Sequence, residues 1–142
     1  MIRKMKDNDI SAVSEIWLNE NIRAHSFIDN AYWISNLEYV KEALKQAEVY
    51  VYERGGDIVG FIGLNGNYIE GIFVDRAFQS EGIGSALIEY AKAKYAILTL
   101  NVYEKNKKAL SFYIKQGFEI TDKATDKNTN ETEVKMTWKK KQ

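Results

Sequence analysis

No cysteine occurs among the 142 residues, so a disulfide framework, a thiolate nucleophile and a Cys-ligated metal are all excluded. The single histidine, His25, excludes the multi-histidine sites that zinc enzymes use. An excess of one charge is also missing. Twenty Lys and Arg offset twenty Asp and Glu, so net charge points to neither a nucleic-acid partner nor an anionic membrane. No apolar run approaches the ~20 residues of a membrane-spanning helix. Met1-Ile2-Arg3-Lys4 leads into charge and not into a signal-peptide core, so the expected setting is cytoplasmic. Proline is absent as well, which leaves glycine to punctuate the turns.

What is present fits one globular domain over residues 1–142, with 45% hydrophobic and 28% charged residues. The first glycine is Gly55, and the stretch before it reads as two helices. Asp9 is placed to cap the first, whose Ile10, Val13, Ile16 and Trp17 recur at helical spacing. The second, Ser35 to Gln46, puts Leu37, Val40 and Leu44 on one stripe. Between them, Ile22, His25, Phe27, Ile28, Tyr32 and Trp33 follow no clear period. Such an aromatic segment serves as a lid over the core or as the wall of a pocket.

From Glu48 the period becomes two. Three strands (from Glu48, from Ile58 to Leu64, and from Tyr68 to Val74) form an antiparallel meander with a turn at Arg54-Gly55-Gly56-Asp57. A helix over Gly82–Lys94, a strand over Tyr95–Val102, a helix over Asn106–Gln116 and a short strand over Phe118–Thr121 follow. Residues 122–130 read as a polar connection of low order. Glu133 to Lys139 alternates, with Val134, Met136 and Trp138 on one face. That last strand packs in the core or joins a second subunit, so a homodimer stays open.

Two segments carry chemistry. Gly82-Ile83-Gly84-Ser85 stands at the mouth of a helix, where unpaired backbone N–H groups and the helix dipole favour an anion. It lacks the lysine of a Walker A loop and the third glycine of a Rossmann turn. The second segment is a helix capped at Asn106 and closed at Gly117, with Asn106, Ala109 and Tyr113 on one face.

Together the segments resemble the GCN5-related N-acetyltransferase (GNAT) family. Gln79-Ser80-Glu81-Gly82-Ile83-Gly84 fits the family's Gln/Arg-x-x-Gly-x-Gly/Ala loop, and Asn106-x-x-Ala109-x-x-Phe112-Tyr113-x-x-x-Gly117-Phe118 fits its second motif. Arg76 stands where the family often has proline. The resemblance covers most of the chain, the two ends in element order only. It implies an α/β (α+β) fold, a mixed, mostly antiparallel sheet of about six to seven strands flanked by about four helices. It also implies acetyl-CoA as co-substrate, with no metal.

The resemblance assigns roles by position. Val74 pairs with the pantetheine arm, and the Ile72 N–H polarises the thioester carbonyl. Backbone groups across Gln79, Gly82, Ile83, Gly84 and Ser85 take the pyrophosphate, and Asn106 contacts the arm. Tyr113 protonates the leaving thiolate. For the base, Glu70 precedes Ile72 by two residues, so in a regular strand both face the acetyl group, and a bulge would reverse that facing. Tyr68 relays through water, and His25 is a rival base. His25 and Phe27 would wall the acceptor site. The expected activity is transfer of acetyl to a primary amine of a small molecule or of a protein lysine or N-terminus, by direct attack in a ternary complex. The alternative is a non-catalytic CoA-binding sensor of the same fold. A nucleic-acid module lacks a basic face.

Overall fold

Strict alternation from Glu48 sets the sheet: Val49 and Val51 pack to one side, Tyr50 and Tyr52 to the other. The computed structural model describes residues 1–141. Among them the strands are β1 (Ile2–Lys4), β2 (Glu48–Arg54), β3 (Asp57–Asn65), β4 (Tyr68–Val74), β5 (Ile97–Tyr103), β6 (Glu119–Asp126) and β7 (Glu131–Lys139). The α-helices are α1 (Ile10–Ala24), α2 (Asn30–Ser35), α3 (Leu37–Gln46), α4 (Ile83–Lys92) and α5 (Lys107–Lys115). The sheet order is β1-β2-β3-β4-β5-β7-β6. Every pairing is antiparallel except β4 with β5.

Helices cover both faces. Ile83, Leu87, Ile88 and Ala91 of α4 close over Ile62, Leu64, Ile69, Leu98, Leu100, Val134 and Met136. On the other face Val13 and Ile16 of α1 and Leu44 of α3 cover Val49, Val51 and Phe61. A third cluster joins Ile28, Trp33 and Tyr103 at the end of β5. Full burial of each large aliphatic side chain contributes about 1.5–3 kcal/mol.

Four features differ from the sequence reading, each for a local reason. Asp9 does not cap α1 with its side chain; its carboxylate accepts instead from Arg3 Nη1 at 2.7 Å and from the Lys6 N–H at 2.8 Å. The second helical stretch is α3, and a further short helix, α2, precedes it in the segment of no clear period, because Asp29 caps it through the Ala31 N–H and Asn36 ends it. β6 runs on to Asp126 through residues expected to be a loose connection. It is an exposed edge strand held by its ladder to β7, so it carries no alternating apolar signal. β7 lies inside the sheet with Val134 and Met136 buried, and β1, three residues long, is too short to read from sequence.

Candidate active site

β4 and β5 are paired at two positions only, Tyr68 with Thr99 and Ile69 with Leu100. Beyond these they part, while β4 stays on β3 as far as Val74. The Asp75 N–H donates to the Val59 carbonyl at 2.8 Å. Backbone groups alternate sides along a strand, so those of Ile72 and Val74 face away from β3 into the opening. The Val74 carbonyl accepts there from Gln79 Nε2 at 3.0 Å. The same nitrogen donates to Glu20 Oε1 at 2.9 Å, and Lys108 Nζ donates to Gln79 Oε1 at 3.1 Å. Gln79 therefore ties α1, the end of β4 and the start of α5 together.

At the start of α4 the N-cap is Gly82, with φ +83° and no side-chain cap. The first helical bond runs from the Ala86 N–H to the Gly82 carbonyl at 3.0 Å, so the N–H groups of Ile83, Gly84 and Ser85 have no partner within the helix. The side chain of Ile83 is buried in the core, which leaves its backbone to the loop. A Cβ at Gly84 would lie 3.3 Å from the Phe112 ring, so the missing side chain is what lets α5 approach α4. The Ser85 hydroxyl accepts from Gln116 Nε2 at 3.0 Å and keeps its own proton to donate.

Tyr113 is buried against Phe112 and Phe118. Burial, helped by Tyr68, pushes its hydroxyl well above the ordinary tyrosine range, with no hydrogen bond in opposition. Asn106 caps α5, its Oδ1 accepting from the Ala109 N–H at 3.2 Å. Its Nδ2 lies 3.3 Å from His25 Nε2, and His25 Nδ1 lies 2.9 Å from the Asn21 carbonyl. A carbonyl only accepts, which assigns the ring proton to Nδ1 and leaves Nε2 to accept from Asn106. Burial lowers the pKa of His25, in keeping with a neutral ring.

The far side of β4 is different in kind. Opposite Gly63 and Leu64 the ladder slips, pairing them with Gly71 and Ile69 and leaving Glu70 as a bulge. The bulge turns Glu70 away from the side of Ile72 and onto the face of Phe61 and Phe73. There a cleft of about 590 Å³ opens between α1, α3 and β4, with Trp17, Tyr39, Phe61, Phe73, Glu42 and Glu70 in its wall. His25 and Phe27 do not come to this cleft. They pack with Trp33 and Tyr103, His25 stacked on Trp33 at 5.1 Å. Tyr68 is half-buried beside the parting strands; burial raises its hydroxyl, and Glu70 and Glu133 add to the shift. Trp17, Tyr39 and Glu133 escaped the sequence reading. Trp17 reads as a core stripe, Tyr39 as a surface residue and Glu133 as the start of a strand, and no spacing joins them. Among the described residues no group of three or more His, Cys, Asp or Glu is placed to hold a metal, and no helix is long and apolar enough to cross a membrane.

A family model described as an acetyltransferase (GNAT) domain matches residues 45–120. The peptidyl-lysine N-acetyltransferase YiaC of Escherichia coli (strain K12) is 34% identical over 140 residues, covering 97% of this chain and 96% of that one. The apo-form solution structure of YjaB from Escherichia coli superposes with a TM-score of 0.88 at 26% identity, over 99% of this chain and 98% of that one. A putative streptothricin acetyltransferase from Bacillus anthracis, solved in complex with acetyl coenzyme A, superposes with a TM-score of 0.60 at 27% identity, over 67% of this chain and 64% of that one.

Proposed function

The chain belongs to the GNAT acetyltransferase family, and from that premise we propose that it moves acetyl from acetyl-CoA to lysine side chains of proteins. The parting of β4 from β5 beside an uncapped helix start carries the reading. Free strand edges suit an amide-bearing arm, and the α4 amides suit a pyrophosphate at the positive end of a helix. The bound acetyl-CoA of the Bacillus anthracis neighbour supports the choice of donor. The end-to-end likeness to a peptidyl-lysine N-acetyltransferase supports lysine as acceptor.

On this reading the donor supplies an activated acyl group, and the protein orients it. The Ile72 N–H hydrogen-bonds the carbonyl oxygen, and this bond strengthens as negative charge develops there. The Val74 N–H holds the arm, its carbonyl being engaged by Gln79. The backbone of Gln79, Gly82, Ile83, Gly84 and Ser85, with the Ser85 hydroxyl, binds the phosphates. Asn106, fixed by Ala109 and His25, lines the arm. Tyr113 keeps its proton at neutral pH and donates it toward the departing sulfur. Trp17 and Tyr39 offer aromatic faces, and Glu42 and Glu70 carboxylates, to an incoming ammonium. With no cysteine, no acetyl-thiol enzyme forms, and transfer is direct.

The test is mass-spectrometric detection of acetyl transfer by the purified protein to lysine peptides, to peptides offering only an N-terminal amine, and to small polyamines. We expect the lysine peptides to be the best acceptors. Transfer to the small amines alone would overturn the acceptor assignment, and no transfer to any of the three would overturn the reading.

A further inference from the structure

Glu70, bulged and solvent-exposed, is one of two carboxylates that raise the Tyr68 hydroxyl; the other is Glu133 on β7. Counting along both strands from the paired Ile69 and Leu100, with Glu70 the extra residue of the bulge, sets Val102 level with Ile72 and Tyr103 level with Phe73. Tyr103 in turn stands directly opposite Glu133. The Glu104 N–H donates to the Thr132 carbonyl at 2.9 Å, so Tyr103 and Glu133 form the neighbouring non-hydrogen-bonded pair, whose side chains lie closest. Val102 and Val134 face α4, and by alternation Tyr103 and Glu133 face the α1 side. Glu133 is thus on the α1 face of the sheet, at the level of Phe73 and one residue beyond Ile72, across the gap left where β5 departs from β4.

The groups around it leave its carboxylate free to work. The Tyr103 hydroxyl donates to Asp126 Oδ2 at 2.5 Å and is committed there. Asp126, diagonal to Glu133 across β6, repels it. Glu131, two residues earlier, is occupied by Lys105 at 3.0 Å. Lys135, two residues later on the same face, is solvent-exposed and lies beyond ion-pair reach of Glu133 among the described residues. Tyr32 of α2 and Tyr68 of β4 both feel its charge. Burial first, and Asp126 second, hold the Glu133 carboxyl above the ordinary glutamate range. A general base works best when its pKa lies near the working pH, and these surroundings move Glu133 in that direction.

We propose that Glu133, and not Glu70, takes the proton from the acceptor ammonium, directly or through one water beside Tyr68. The inference rests on the acetyl-transfer reading above. The ammonium gives one proton to Glu133, which passes it to solvent. The neutral nitrogen forms a bond to the acetyl carbon and the carbon–sulfur bond breaks. The sulfur takes the Tyr113 proton, and Tyr113 recovers one through water as the nitrogen loses its second.

The test is kcat/KM for a lysine peptide from pH 6 to pH 10 in wild type, Glu133→Gln, Glu133→Asp and Glu70→Gln, with calorimetric acetyl-CoA affinity alongside. Glu133→Gln should lose ~100-fold near neutral pH, with the gap closing to ~3-fold near pH 10, where the amine deprotonates unaided. Glu133→Asp should restore part of the rate and the wild-type profile shape, and Glu70→Gln should keep that shape. A defect of constant size across pH, or loss of acetyl-CoA affinity in Glu133→Gln, would overturn the inference by making Glu133 structural. A pH-dependent defect in Glu70→Gln alone would return the role to Glu70. Wild type inactive on every lysine peptide would overturn the functional reading itself, a result distinct from these.

Discussion

The two faces of β4 are built on different principles. Toward α4 and α5 the candidate donor site is made of backbone: parted strand edges, three helix N–H groups, and a glycine where α5 crosses α4. Toward α1 and α3 the cleft is made of side chains from elements far apart in sequence. A backbone site tolerates few substitutions and leaves a fixed spacing. A side-chain cleft changes its contents freely, and so fits one scaffold to many acceptors.

Substitutions on the two faces should therefore separate chemistry, donor affinity and acceptor choice. The largest effect is expected at Tyr113. Tyr113→Phe keeps the ring packing but removes the proton, and turnover should fall ~10²–10⁴-fold with acetyl-CoA affinity intact. Turnover within twofold of wild type, with chemistry limiting, would deny it the acid role. Next, Gly84→Glu brings a carboxylate to the α4 N-terminus and a Cβ to 3.3 Å from Phe112. Calorimetry should show acetyl-CoA binding at least ~10-fold weaker, about 1.4 kcal/mol. A folded variant with wild-type affinity would remove the loop from the donor site.

On the other face, Tyr39→Ala alters a residue 74% exposed, so folding should survive. We expect KM for a lysine peptide to rise roughly fivefold, about 1 kcal/mol, with donor affinity unchanged. A change confined to donor affinity would merge the two faces into one site. The smallest effect concerns His25. Its pKa is lowered in the folded state by burial, so the unfolded chain binds more protons below the unperturbed value of about 6.5. Its contribution to stability is complete above that value and is lost as pH falls toward the folded pKa. Urea midpoints between pH 7 and pH 5 should decline less steeply in His25→Gln than in wild type. Equal slopes would mean that His25 does not titrate in this window.

The same contrast decides what was legible in the sequence. Gly82, Gly84, Asn106 and Tyr113 stand at spacings that helix starts and helix faces impose, so the starts of α4 and α5 and the order of the elements around them could be read. β7 was legible from the alternation of Val134, Met136 and Trp138, although its place between β5 and β6 was not. β6 was half legible, since an edge strand needs no apolar face. Glu70 could be named but not aimed, because one bulged residue reverses a side chain without leaving a mark in the sequence. His25 and Phe27 read as the wall of the acceptor site, yet they pack with Trp33 and Tyr103 and not in the cleft between α1 and α3, which no spacing in the sequence marks. Glu133 acquires its meaning from Tyr103, thirty residues away along the chain and directly opposite in the sheet.

The division of labour between the faces is tested most directly by backbone amide shifts in an NMR titration with acetyl-CoA. We expect the largest perturbations at Ile72, Val74, Ile83, Gly84 and Ser85, and little change at Trp17, Tyr39 and Val40. Shifts concentrated around Trp17 and Tyr39, with the start of α4 unmoved, would contradict it.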